Sequence, residues 1–143
     1  MRSKIPGYFT GMRGVYLVAA ELSRLGFIAS PTSRSARGAD ILVADQSCQR
    51  TYSVQVKTNG KAANFWLLSK HARKQFAKRH IYVLVNIRQK GGSETAEYYV
   101  VPSKVLARKM YCVRRRASKW YAIRLKEVSS YRDRWSIFGK PTD

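Results

Sequence analysis

The seven residues Ile81 to Ile87, "IYVLVNI", are apolar at nearly every position. A strand with one wet face alternates apolar and polar residues. A short run without alternation reads instead as a strand covered on both faces, at the centre of a sheet. Such a strand needs neighbours to pair with and a layer on each side. The chain offers both. "FIAS" (Phe27 to Ser30), "ADILVA" (Ala39 to Ala44), "TYSVQVK" (Thr51 to Lys57), "FWLL" (Phe65 to Leu68) and "EYYVV" (Glu97 to Val101) are strand candidates bounded by turn residues. The second and third are close enough to form an antiparallel hairpin across "DQSCQR".

Helical spacing fills the gaps. Val15, Val18, Leu22 and Leu25 fall on one stripe of a helix from about Gly14, with Gly26 as its natural C-terminal stop. Ser69 can cap a basic helix reaching about Lys78, and Pro102 opens a short one, "SKVLARKM". "RQKGGSETA" reads as a turn. Beyond it, "RRRASKWYAIRLKEV" suggests a basic loop and one more strand, Trp120 to Leu125. "SSYRDRWSIF" should fold back through Tyr131, Trp135 and Phe138, leaving "GKPTD" as a frayed tail. The expected fold is α/β, a mixed sheet with flanking helices. It forms one domain over residues 1–143, with no internal repeat.

Charge narrows the function. Lys and Arg number 28 and Asp and Glu 8, a formal net charge of +20 over 143 residues. A domain this basic is matched to a polyanion, and nucleic acid is the natural one. A membrane is disfavoured, since no segment combines a wide apolar face with a basic one. The opening "MRSKIPGYFTGMRG" has no apolar signal-like core, and no later run approaches ~18 apolar residues, so a cytoplasmic protein is expected. Cys48 and Cys112 are too few for a disulfide framework, and with His71 and His80 they lack paired zinc-ligand spacing.

On "YSVQVKTN", Tyr52, Val54 and Val56 face one way and Ser53, Gln55 and Lys57 the other. If the hairpin closes, Asp40 comes beside Gln55 and Lys57. Glu21 lies at the edge of the first helix's apolar stripe. Each has a plainer reading: Asp40 as a turn cap or an arginine partner, Gln55 as an edge residue, Lys57 as a snorkelling chain, Glu21 as a bridge to Arg24.

Taken together, Glu21 on a leading helix, "GAD" ending in Asp40, and "VQVK" with Gln55 and Lys57 resemble the PD-(D/E)XK nuclease superfamily. The resemblance spans about residues 11–102, with residues 103–138 an elaboration. That superfamily includes small bacterial nuclease-like proteins, some homing endonucleases and archaeal Holliday-junction resolvases. It implies a restriction-endonuclease-like αβββαβ core and metal-dependent endonuclease activity on duplex or branched DNA, with RNA a less favoured partner. Gln55 stands where the pattern has a carboxylate, as in a known QxK variant. The resemblance further implies a Mg²⁺ (or Mn²⁺) site on Asp40, Gln55 and the Val56 carbonyl, with Glu21 supplying charge through a water and Lys57 serving the nucleophilic water. It also implies a homodimer, by analogy with small nucleases. The alternatives are a nucleic-acid-binding module that keeps the fold without cleavage, and a structural basic protein of RNA assemblies. Candidate phosphate contacts are Arg34 and Arg37 before Asp40, Lys61 after the motif, Lys70, Arg73, Lys74, Lys78 and Arg79 along the basic helix, and the run Arg114, Arg115 and Arg116. Trp66, Tyr98, Tyr99 and Trp120 are assigned to packing rather than to base stacking.

Overall fold

The computed structural model describes residues 4–33 and 37–142. Its elements run α1 (Gly7–Arg24), β1 (Ile28–Pro31), β2 (Ile41–Ala44), β3 (Thr51–Asn59), β4 (Phe65–Leu68), β5 (His80–Lys90), β6 (Ser93–Pro102), α2 (Ser103–Lys109), β7 (Tyr111–Arg115), β8 (Ser118–Arg124) and α3 (Leu125–Val128). Five strands form one sheet in the order β1-β2-β3-β5-β6, and β4-β8-β7 form a second. Among the described residues only the β3–β5 pair is parallel.

β5 is an interior strand, and Ile81 to Ile87 are all buried, as their unbroken apolar run requires. Its Ile81, Val83, Val85 and Ile87 pack in the core beneath α1, with Val15, Val18 and Leu22. Its Tyr82 and Leu84 pack the other way, against Trp66 and Leu68 of the second sheet and Leu106 of α2. The main sheet is thus sandwiched, and the smaller sheet is one of its covers.

α1 begins at Gly7, two turns before the periodic stripe starts. Those turns bury little, as Tyr8 and Phe9 are more than half exposed, so they leave no apolar period to read. The helix ends as expected, at Gly26 with φ +93°.

The expected basic helix to Lys78 is a correction. Ser69 does cap, its hydroxyl accepting the His71 N–H at 3.2 Å, but only a single 3₁₀ turn follows, Lys70–Arg73. Ala72 is its one buried residue, and the cationic chains have no acid at helical spacing to offset their repulsion. Ser103 instead takes both backbone groups of Ala77 through its hydroxyl, at 3.1 and 3.0 Å. The crossover from β3 to β5 therefore runs through β4 and this turn.

Two hairpins are tighter than their sequences suggest. β5 and β6 meet at Gly91–Gly92, both with positive φ, so most of the polar stretch read as a turn is paired strand. β7 and β8 pair across Arg116, φ +51°, placing Arg114 and Arg115 in a strand rather than a loop. Tyr131, Trp135 and Phe138 pack back as expected. The tail does not fray before residue 142: Gln46 N–H donates to the Pro141 carbonyl at 2.9 Å, and Arg50 holds the Lys140 carbonyl. Among the described residues no helix is long and apolar enough to cross a membrane.

Candidate functional site

Asp40 immediately precedes β2 and continues its pairing. Its N–H donates to the Val54 carbonyl at 2.7 Å, and its carbonyl accepts the Thr32 N–H at 2.9 Å. With the backbone held on both sides, the carboxylate is aimed at β3. One oxygen, Oδ2, accepts the Val56 N–H at 2.8 Å and the Gln55 amide Nε2 at 3.0 Å. A strand residue turns its N–H and C=O to the same side, so the Val56 carbonyl also faces Asp40's flank, beyond the start of β2. Lys57 shares Gln55's face one step along, roughly 6.7 Å of strand away. It is half-buried, and among the described residues it has no ion-pair partner.

The parallel register adds residues that the sequence did not single out. Ser53, Gln55 and Lys57 lie opposite His80, Tyr82 and Leu84. Ser53 Oγ and His80 Nδ1 are 2.7 Å apart, and the His80 ring meets Tyr82 edge-on at 5.4 Å. Burial pushes the His80 imidazole below its ordinary value of 6.5, partly opposed by the Ser53 hydrogen bond. Burial pushes the Tyr82 phenol up, and the negative charge of Asp40 adds to the shift. A groove of about 640 Å³ abuts this row at Ser53 and His80, floored by Leu42 and flanked by Arg79. Alternation alone placed Ser53 beside Gln55, but which strand lies alongside is a long-range fact that no local pattern carries.

Glu21 does not join the cluster. α1 covers the opposite face of the main sheet, packing on Val54 and Val56. The Glu21 carboxylate pairs with Arg24 one turn on, at 2.8 Å, the plainer reading of that residue. Over the end of β3 the helix carries Gly14, packed against Thr58. Among the described residues no three His, Cys, Asp or Glu side chains converge, so a cation here would have Asp40 as its one acidic ligand. The donor set of one carboxylate, one amide and one carbonyl is all hard oxygen. It fits a divalent ion that keeps most of its own waters, as Mg²⁺ does.

The basic candidates divide. Arg37 is exposed in the loop before Asp40, and Lys61 is exposed after β3; Arg34 lies outside the described residues. Lys70, Arg73 and Lys74 are exposed on and after the 3₁₀ turn, with the Arg73 guanidinium 5.1 Å from the Tyr121 ring. Lys78 and Arg79 follow on an exposed segment rather than on a helix. Arg114, Arg115 and Arg116 are exposed at the tip of the β7–β8 hairpin, on the second sheet. Trp66, Tyr98 and Tyr99 are buried, as assigned, but Trp120 is 58% exposed and packs no core.

No family model matches the chain. No curated protein matches it either. Among solved structures, Hjc of Archaeoglobus fulgidus, a Holliday junction resolvase from an archaeal hyperthermophile, aligns at a TM-score of 0.50. The alignment covers 80% of this chain and 91% of that one, at 13% identity. With the mixed five-stranded sheet and its covers, this likeness shows the fold: α/β, of restriction-endonuclease-like type.

Proposed function

We propose that the protein is a DNA endonuclease whose site comprises Asp40, Gln55, the Val56 carbonyl and Lys57, working with Mg²⁺ or Mn²⁺. One observation carries this reading. An Asp carboxylate is fixed by Gln55 and Val56 while Lys57, without an acid partner among the described residues, shares the same face. The cation, when bound, polarises the phosphate and acidifies a water. Asp40 supplies the negative charge that holds it. Gln55 presents a donor to Asp40 here; a half-turn of its amide presents the oxygen instead. Lys57 orients the attacking water or balances the charge that develops on the phosphate. Arg37 and Lys61, both exposed, hold the flanking backbone in this reading. Cutting both strands of a duplex calls for two copies, and sedimentation of the DNA-bound protein reads that stoichiometry.

Supercoiled and branched DNA, incubated with Mg²⁺, Mn²⁺ or EDTA, tests the reading. Metal-dependent nicking should be lost in Asp40→Ala and in Lys57→Ala. Nicking indifferent to both substitutions, or none with any metal, overturns it. The second reading, a binding module, is favoured by the single acidic ligand. It predicts salt-sensitive DNA binding without cleavage, retained in Asp40→Ala.

A further inference from the structure

The second sheet has the wrong outside. Along β4, Trp66 and Leu68 point into the core, which is ordinary, but Phe65 and Leu67 between them are 43% and 55% exposed. On β8, Trp120 is 58% exposed, flanked on β7 by Val113, its register partner. A sheet covered on one face normally turns polar residues to water on the other. Here the outer face is an apolar hollow of about 210 Å³, lined by Phe65, Leu67, Tyr111, Val113 and Trp120, with Arg115 at its margin.

The margin is cationic. The Arg124 guanidinium sits 4.0 Å from the Tyr111 ring centroid, stacked on the edge of the hollow. A second hollow shares Leu67 and Trp120, adds Lys70, and wraps round the end of the sheet to Leu68, Tyr121 and Lys119 on its inner side. A third shares Arg115 and adds Arg116. Among the described residues no Asp or Glu lines any of the three. Charge decides what covers this face. A second copy pressed on it would set Arg115 and Arg124 against their own images, in a protein of net charge +20. An occupant that is both anionic and flat-faced satisfies the rim and the hollow together. Paired bases keep their faces inside the duplex, so only unpaired nucleotides offer them.

We propose that the outer face of the β4-β8-β7 sheet binds single-stranded nucleic acid, stacking bases on Trp120 and Phe65 while Arg115, Arg124 and Lys70 hold phosphates. The platform is separate from the Asp40 site and requires no cleavage, so either assignment can fail alone.

The test is fluorescence anisotropy of the full chain with labelled oligo(dT) and with a duplex of equal length, both in EDTA so that cleavage has no part. Trp120→Ala should weaken oligo(dT) binding roughly 5- to 100-fold, the range that loss of one stacked base gives. Trp120→Phe should keep most of the affinity, and duplex binding should move little. The salt slope should stay, because no phosphate contact is lost. A readout independent of variant folding is tryptophan emission: oligo(dT) should quench the wild-type protein through its exposed tryptophan and quench Trp120→Phe far less. The proposal is overturned if Trp120→Ala with Phe65→Ala leaves oligo(dT) affinity unchanged, or if duplex affinity falls equally. It is also overturned if the substitutions abolish a dimer, or binding to anionic vesicles, while oligo(dT) binding persists.

Discussion

Gln55 is the residue on which the proposed cleavage turns. Its amide donates to Asp40 at 3.0 Å, so an uncharged donor stands where two carboxylates would repel. Gln55→Glu therefore has a two-part expectation. Without metal the protein loses roughly 1–4 kcal/mol, the repulsion of two charges a few ångströms apart in a half-buried setting. With Mg²⁺ its melting temperature rises more than that of the wild type, because the second acid strengthens the cation site. Equal Mg²⁺ responses in the two proteins would count against a metal at this position. Acid should also weaken the fold here in two windows. His80 has a lowered folded value, so it stays neutral while the unfolded chain gains a proton, and stability falls as pH drops below 6.5. Asp45 is 1% exposed and accepts the backbone N–H groups of Gln49 and Arg50, with the Arg50 bond the leading cause of its lowered value. Its contribution is present above 3.8 and is lost as pH falls through the lower folded value. Thermal melts across pH should show the upper step vanish in His80→Asn and the lower one in Asp45→Asn. Asp40, Gln55 and Lys57 were legible because strand alternation fixes a face. Glu21 was misplaced because a helical angle says how near a residue lies to the core, not which side of the sheet the helix covers.

At the scale of elements, the α1–β3 contact is closely fitted. A Cβ added to Gly14 would lie 2.8 Å from the Thr58 Cβ, inside any real contact. Gly14→Ala should cost about 1–3 kcal/mol as the helix lifts, read by urea denaturation. The Thr58 hydroxyl in that contact is buried and has no hydrogen-bond partner among the described residues. Thr58→Val keeps the shape and removes the orphan, so it should stabilise by about 1 kcal/mol; destabilisation would mean that the hydroxyl has a partner in solution. The strands whose burial is two-sided or alternating were readable from sequence, Ile81 to Ile87 most clearly. β7 was not, because Arg114 and Arg115 are paired by backbone alone and carry no apolar signal. The basic segment after Ser69 misled in the opposite way: its cap is real, but a cap cannot sustain a helix that buries one alanine.

For the whole molecule the decisive quantity is the +20 charge, spread over the Asp40 flank, the 3₁₀ turn and the β7–β8 tip. Duplex binding should fall linearly in log affinity against log salt. If six to ten phosphates are neutralised, the loss between roughly 50 and 200 mM salt is about 10³- to 10⁵-fold. A flat salt response would remove the case for nucleic acid altogether. The αβββ order and the hairpin that brings Asp40 to Gln55 were visible in the sequence. The division into two sheets was not, since it depends on β4 leaving the main sheet to pair with β8, more than fifty residues later. The closing segment ties the fold together in a different way. Phe138 places its ring 5.2 Å from Tyr52 and 5.9 Å from Phe27, while Pro141 and Lys140 clasp the loop between β2 and β3. Residues 134–142 thus act as a latch on the hairpin that presents the candidate site. Slow amide-hydrogen exchange in β2 and β3 should depend on a stretch of chain more than eighty residues away, and trimming it should let that hairpin open independently of the rest.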